Sequence, residues 1–217
     1  MNDIVTTPLF FLFIAFSFLL TFGYFWGRRR NRGIFLSVFN ALVEVAKPVD
    51  QKFTTIGGVV GYHANLYLKK DSPVSQIDAT ITLLPRHSWL YLPISIIIMR
   101  YDRLFVTLYI KPKMPGEGHI IEKAYAGFRG PKIKNADRLQ KETIKWNSKE
   151  YFFYYESMKV RDYLTRFIDE NPDPGIIRHI ALVPDQRKCF VFMIPRREQV
   201  GKFFAPIPRW ISLLVKK

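Results

Sequence analysis

An α+β domain held behind a single N-terminal transmembrane helix is the fold the sequence predicts, on three observations. Pro8–Trp26 is an uncharged apolar run closed by arginines, several short segments alternate apolar with polar residues, and others repeat apolar residues at helical spacing. Strands and helices that follow no strict βαβ order indicate the α+β class. In this reading the 217 residues divide into an extracytosolic leader 1–7, a transmembrane helix 8–26 and a basic juxtamembrane stop 27–33. A cytosolic mixed α/β domain over 34–198 and an apolar, interfacial C-terminal helix over 199–217 complete the chain.

The span rests on length and coat. As a helix, Pro8–Trp26 measures about 28 Å, close to the ~30 Å hydrocarbon core of a bilayer. Phenylalanines 10, 11, 13, 16, 18, 22 and 25 cover every face, whereas a core helix of a soluble protein has one apolar stripe. A secretory signal has a positive leader and a small-residue exit; here Asp3 precedes the run and Tyr24, Phe25 and Trp26 end it. Arg28, Arg29, Arg30 and Arg32 are expected at the membrane interface and place that flank in the cytoplasm, with the N-terminus out. The expected membrane is the plasma membrane in a prokaryote and the ER in a eukaryote.

After the arginines, Ile34, Val38, Leu42 and Val45 repeat at helical spacing, so Gly33–Ala46 is predicted as an amphipathic helix ended by Pro48. His63–Leu68, Ile77–Leu84 and Arg103–Lys111 alternate as strands, and Ile120–Phe128 is a candidate fourth. Between the second and third lies Trp89–Met99, apolar but broken by Pro93 and too short to cross a bilayer. Buried core and interfacial segment are both open for it. Ala136–Trp146 places Leu139, Thr143 and Trp146 on one side and Arg138, Lys141 and Lys145 on another, which predicts a helix. Glu150–Glu156 is an aromatic strand and Met158–Asp169 a helix. Ile176–Val183 and Cys189–Ile194 form a hairpin across Pro184-Asp185, and Phe203, Phe204, Trp210, Leu213 and Leu214 are expected at the membrane in the terminal helix.

Charge supplies the functional signal. Lys+Arg total 33 against 18 Asp+Glu, a net of +15. Such an excess suits polyanions, either nucleic acid or the anionic lipid beside an anchor. It concentrates in Arg129, Lys132, Lys134, Arg138, Lys141, Lys145 and Lys149, a surface fit for phosphate contacts without base readout. The single Cys189 excludes an intrachain disulfide and lies in an apolar run, as a buried thiol does. His63, His87, His119 and His179 show no metal-ligand spacing, and no phosphate-binding, dinucleotide or nucleophile-elbow motif occurs. No catalytic residue, metal, cofactor or small-molecule substrate is expected.

The order of elements resembles the calumin family, the coiled-coil-containing subunit of the PAT (protein associated with translocon) complex. The likeness runs through Gly27–Arg32 after the span, VFNALVEV (Val38–Val45), ISIIIMRYDRLFVTLYI (Ile94–Ile110), CFVFMIP (Cys189–Pro195) and the proline-containing apolar segment Phe203–Val215. It implies a non-catalytic factor at the ribosome and Sec translocon that assists nascent multipass membrane proteins. The family's acidic luminal region has no counterpart here, so its calcium binding is not carried over. Its long basic coiled coil is also missing, and ribosomal RNA contact is expected from Arg129–Lys149 or the terminal lysines. A compact version of this kind suits a prokaryotic homologue, an archaeal one included. Two alternatives accompany this expectation: an anionic-lipid-binding membrane adaptor, and a membrane-tethered enzyme of unknown chemistry.

Overall fold

The computed structural model describes residues 7–127, 130, 131, 133, 134 and 136–215. Helix α1 (Pro8–Ala46) opens with proline at its first position and runs for 39 residues, about 58 Å at 1.5 Å per residue. It ends where Lys47 adopts a left-handed φ of 46° and its N–H reaches the Val43 carbonyl. The amphipathic helix expected over Gly33–Ala46 is therefore continuous with the apolar segment and not a separate element. Gly23, Gly27, Asn31, Ile34, Val38 and Leu42 are all buried, one face repeating every three or four residues straight through the arginines.

Strands β1 (Asp50–Thr55), β2 (Gly61–Tyr67) and β3 (Val74–Thr82) precede a short helix α2 (Leu92–Met99). Then come β4 (Arg103–Ile110), β5 (Gly118–Glu122), β6 (Gln140–Trp146) and β7 (Lys149–Tyr155). Helix α3 (Met158–Glu170), β8 (Ile177–Val183), β9 (Lys188–Met193), α4 (Val200–Phe204) and α5 (Pro206–Ser212) follow. All nine strands join one antiparallel sheet in the order β1-β2-β3-β4-β9-β8-β5-β7-β6. α1 lies over β2 with α4 beside it, and α3 lies over β5 and β7. Alternate strand residues feed the core: Ile77 and Ile81, Leu104 and Val106, Ile180 and Leu182 are wholly buried against Val38, Leu42, Val160, Leu164 and Phe167.

Three sequence expectations change. Ala136–Trp146 is a 3₁₀ turn (Ala136–Arg138) followed by β6, not a helix. Trp146 turns inward, where its indole N–H donates to the Asn171 carbonyl at 2.7 Å, and Asn147, at φ 56°, makes the two-residue turn into β7. The fourth strand is Gly118–Glu122, ending earlier than Ile120–Phe128. The C-terminal segment is also not a membrane-facing helix. Pro206 opens α5 just after the break from α4, and Phe203, Phe204 and Trp210 are buried in the domain core. Trp210 stacks on Tyr163 with ring centroids 4.6 Å apart. The two residues also exchange hydrogen bonds, Tyr163 OH to the Trp210 carbonyl and Trp210 Nε1–H to the Tyr163 carbonyl. Leu213 and Leu214 stay half-buried at the chain's end.

α1 docks on the sheet through a buried polar joint. Asn31, fully buried, donates to the carbonyls of Leu84 (2.9 Å) and Val59 (3.2 Å) and accepts from Arg86 at 3.0 Å. Arg86 grips Asp102 with both terminal nitrogens, at 2.9 and 2.8 Å, and Asp102 also accepts the Leu84 N–H. One turn earlier on α1, Gly27 lets the Arg86–His87 backbone lie against the helix; a Cβ there would sit 2.0 Å from the Arg86 carbonyl oxygen. Gly27→Ala gains about 1 kcal/mol of helix propensity, yet the backbone clash should outweigh it and leave a net loss of roughly 1–2 kcal/mol. The expected readout is a lower Tm of the full chain in detergent, and an unchanged Tm would mean that this loop does not dock on α1.

Candidate functional site

The surface that differs most from an ordinary globular exterior lies where α2 meets α1. Pro93 sits in the first turn of α2, and the helix stops at Arg100, whose φ is 63° and whose N–H closes on the Ile96 carbonyl. Its eight residues make about 12 Å of helix, too little to cross a bilayer. Only Ser95 is buried, while Leu90, Tyr91, Ile94, Ile96, Ile97 and Ile98 are exposed, Ile97 at 73%. Fully burying one such side chain is worth about 1.5–3 kcal/mol, so a contiguous apolar surface of this kind marks a partner that is not water.

Contacts with α1 fix the level of this surface. Trp89, just before α2, packs on Gly23, where an added Cβ would lie 2.5 Å from the indole ring. Trp26 meets Trp89 edge to face at 6.4 Å, and Tyr24 meets His87 in the same way at 6.0 Å. α2 therefore stands beside the last turns of the apolar part of α1, which among the described residues is the one helix long and apolar enough to cross a membrane. Arg28, Arg29, Arg30 and Arg32 follow directly and are all exposed. Arg30 lies over the Trp26 ring at 5.2 Å, and Arg28 donates to the Tyr24 hydroxyl at 3.4 Å. Arg196 and Arg197 reach the same place from the far end of the chain; Arg197 donates to the Arg30 carbonyl at 3.4 Å.

The lysine-rich tract lies elsewhere. Arg129 and Lys132 fall outside the described residues. Lys134, Arg138, Lys141 and Lys145 are exposed, and Lys149 is half-buried with its ammonium 3.3 Å from Glu122. Lys141 and Lys145 share one side of β6, the outermost strand, while Arg138 sits in the turn before it, so they form a strand edge and not a helical stripe. Lys141 covers the Phe152 and Tyr154 rings at 4.1 and 5.5 Å. These are the outward members of EYFFYYE; Tyr151, Phe153 and Tyr155 fill the core.

Two histidines distant in sequence meet across β5 and β8. His119 Nδ1 and His179 Nε2 are 3.3 Å apart, and His119 Nε2 is 3.2 Å from a Glu117 carboxylate oxygen. Register explains the pairing, since His119 faces Ala181 and Ile121 faces His179, yet no spacing in the sequence announces it. Burial and the neighbouring His119 push the His179 pKa down to about 3. Burial also lowers that of His119, against an upward pull from Glu117. Burial pushes the Cys189 thiol up to about 12, so it stays protonated and inert. Among the described residues no cluster of His, Cys, Asp and Glu is disposed to hold a metal.

Because His179 is neutral when folded but titrates near 6.5 when unfolded, its contribution to stability is complete above about pH 6.5. It is lost as the pH falls toward 3, by about 1.4 kcal/mol per pH unit. Denaturant titrations of wild type between pH 6.5 and 4 should show that slope in excess of His179→Gln; parallel slopes would mean that the imidazole is charged in the folded protein. Neither known family profiles nor curated proteins match this chain.

Proposed function

We propose that this chain is a non-catalytic, single-pass membrane factor that works beside the Sec translocon and the ribosome, where it assists nascent multipass proteins. The observation that carries this reading is the exposed isoleucine surface of α2 held against the apolar half of α1. Two apolar elements side by side at one bilayer face offer a partly lined surface for a membrane segment that has not yet found its partners. The arginine flank supports an N-terminus outside and a domain in the cytoplasm. Exposed Lys141 and Lys145 on the outer strand supply a basic edge for ribosomal RNA phosphates. The translocon and ribosome terms of this reading come from the resemblance to the calumin family. A second reading, an adaptor that binds anionic lipid, is favoured by the gathering of Arg29, Arg30, Arg196 and Arg197 beside Trp26.

The seating of α2 is read by labelling. Cys189 is the only native cysteine and is buried, so Ile97→Cys provides a single reactive thiol. In proteoliposomes it should react with an apolar maleimide and resist a charged, membrane-impermeant one. Equal reaction with both would put α2 in water and remove the basis of the proposal.

Partner choice is read by co-sedimentation of the full chain in nanodiscs with ribosomes from the source organism. Binding should fall steeply with salt, and Lys141→Glu with Lys145→Glu should lower the log–log salt slope by about 2. Absence of ribosome binding at low salt, with anionic vesicles still captured, would transfer the assignment to the lipid adaptor.

A further inference from the structure

A groove of about 700 Å³ opens between α1 and the two chain segments that flank its docked face. Trp26, Arg29, Arg30, Arg86, Arg196 and Arg197 line it. Its one carboxylate, Asp102, is already held by both terminal nitrogens of Arg86. Among the described residues, Arg29, Arg30, Arg196 and Arg197 form no ion pair with an acid. The fold itself keeps these like charges together. The Glu198 N–H donates to the Ser37 hydroxyl at 3.4 Å, and Arg197 crosses α1 at Gly33, where a Cβ would lie 2.4 Å from its guanidinium. Four exposed arginines lining one concavity raise the positive potential there, which favours an anion. Their planar forks match phosphate oxygens better than ammonium groups do.

Position selects the kind of phosphate. Trp26 forms one wall and marks the end of the apolar run, with Phe22 and Phe25 exposed just beyond it. A phosphate in the groove would therefore have an apolar aromatic wall below it and water above, which is the geometry of a lipid headgroup with its acyl chains beside α1. We propose that this groove is the headgroup site for one anionic phospholipid, its phosphate held among Arg29, Arg30, Arg196 and Arg197. The inference rests on the bilayer seating argued above and deepens the lipid-binding reading by giving it a site.

The test is native mass spectrometry of the full chain in detergent micelles with dioleoyl phosphatidylglycerol, with dioleoyl phosphatidylcholine as the neutral control. One phosphatidylglycerol should be retained in preference to phosphatidylcholine. Arg196→Gln with Arg197→Gln should weaken retention about tenfold. Arg28→Gln with Arg32→Gln removes the same charge from the side of α1 that faces Thr55 and Tyr62, and retention should change by less than about twofold. Equal losses in the two pairs would reduce the effect to general surface charge and overturn the site, as would no loss in the first. Glycerol 3-phosphate separates the two sources of phosphate: it should not displace the lipid, and displacement at equal concentration would make this a soluble-phosphate site. All four arginines are solvent-exposed, so both pairs should keep the wild-type Tm. Because retention is measured in micelles, it reads the groove separately from labelling at position 97, which reads the seating.

Discussion

Asn31 is the joint on which the architecture depends. It lies fully buried on a helix that elsewhere at this level presents arginines, and its amide holds Leu84, Val59 and Arg86 at once. Left without those partners, a buried amide would cost about 1–3 kcal/mol, so the joint either forms completely or the helix cannot dock there. Arg86 and Asp102 extend it to the start of β4, and removal of either partner from such a pair costs about 3–5 kcal/mol. The same loop bends into Trp89 and α2, so the joint also determines where the exposed isoleucines point.

α1 places a second constraint on the molecule, because one helix serves two environments without a hinge. Its first half is exposed on nearly every face, and its second half buries a single stripe against the sheet. Nothing along Gly23–Leu42 interrupts the buried face, so the tilt of the apolar half and the orientation of the sheet are a single degree of freedom. A flexible basic linker would have separated them. In a continuous helix each arginine instead has a fixed bearing, and Arg29 and Arg30 point toward Arg196 and Arg197 while Arg28 and Arg32 face Thr55 and Tyr62.

Much of the fold was legible where one face is buried and the other wet. β4 alternates throughout and β2, β3 and β9 over part of their length, and α3 carries Val160, Leu164 and Phe167 on one stripe. The continuity of α1 was legible too, since Gly23, Gly27 and Asn31 extend the spacing of Ile34, Val38 and Leu42, but small and polar residues do not register as an apolar stripe. β1 gave no signal because an edge strand with every residue exposed needs no alternation. β6 misled for a different reason: Leu139, Thr143 and Trp146 fit a helical period, and only pairing with β7 decides between the two. The apolar C-terminus reads the same for lipid and for core. Its fate was set by Tyr163 on α3, which no local pattern around Trp210 reveals. The site divided in the same way: Arg28–Arg32 announce themselves by position, while Arg86, Arg196 and Arg197 join them only through tertiary contacts.

The basic residues fall into two populations whose chemistry differs, and this division bears on what the charge is for. Arginine gathers where α1 meets the sheet end, at Arg29, Arg30, Arg86, Arg196 and Arg197 around one groove. Lysine dominates the outermost strand, with Lys141 and Lys145 exposed along β6 and Lys149 tied to Glu122. Guanidinium forks act at short range on a phosphate of defined orientation, whereas ammonium groups on flexible stems contribute a diffuse field that adapts to an irregular polyanion. An edge strand also gains from lysine without any ligand, because charge on an unpaired edge discourages strand addition from another chain. Arg86 is accounted for by its bonds to Asp102 and Asn31, whereas Arg29, Arg30, Arg196 and Arg197 have no acid partner among the described residues. Of the two basic surfaces, the groove beside Trp26 is thus the one whose composition the fold alone accounts for least, and guanidinium forks are what an anion entering it would meet.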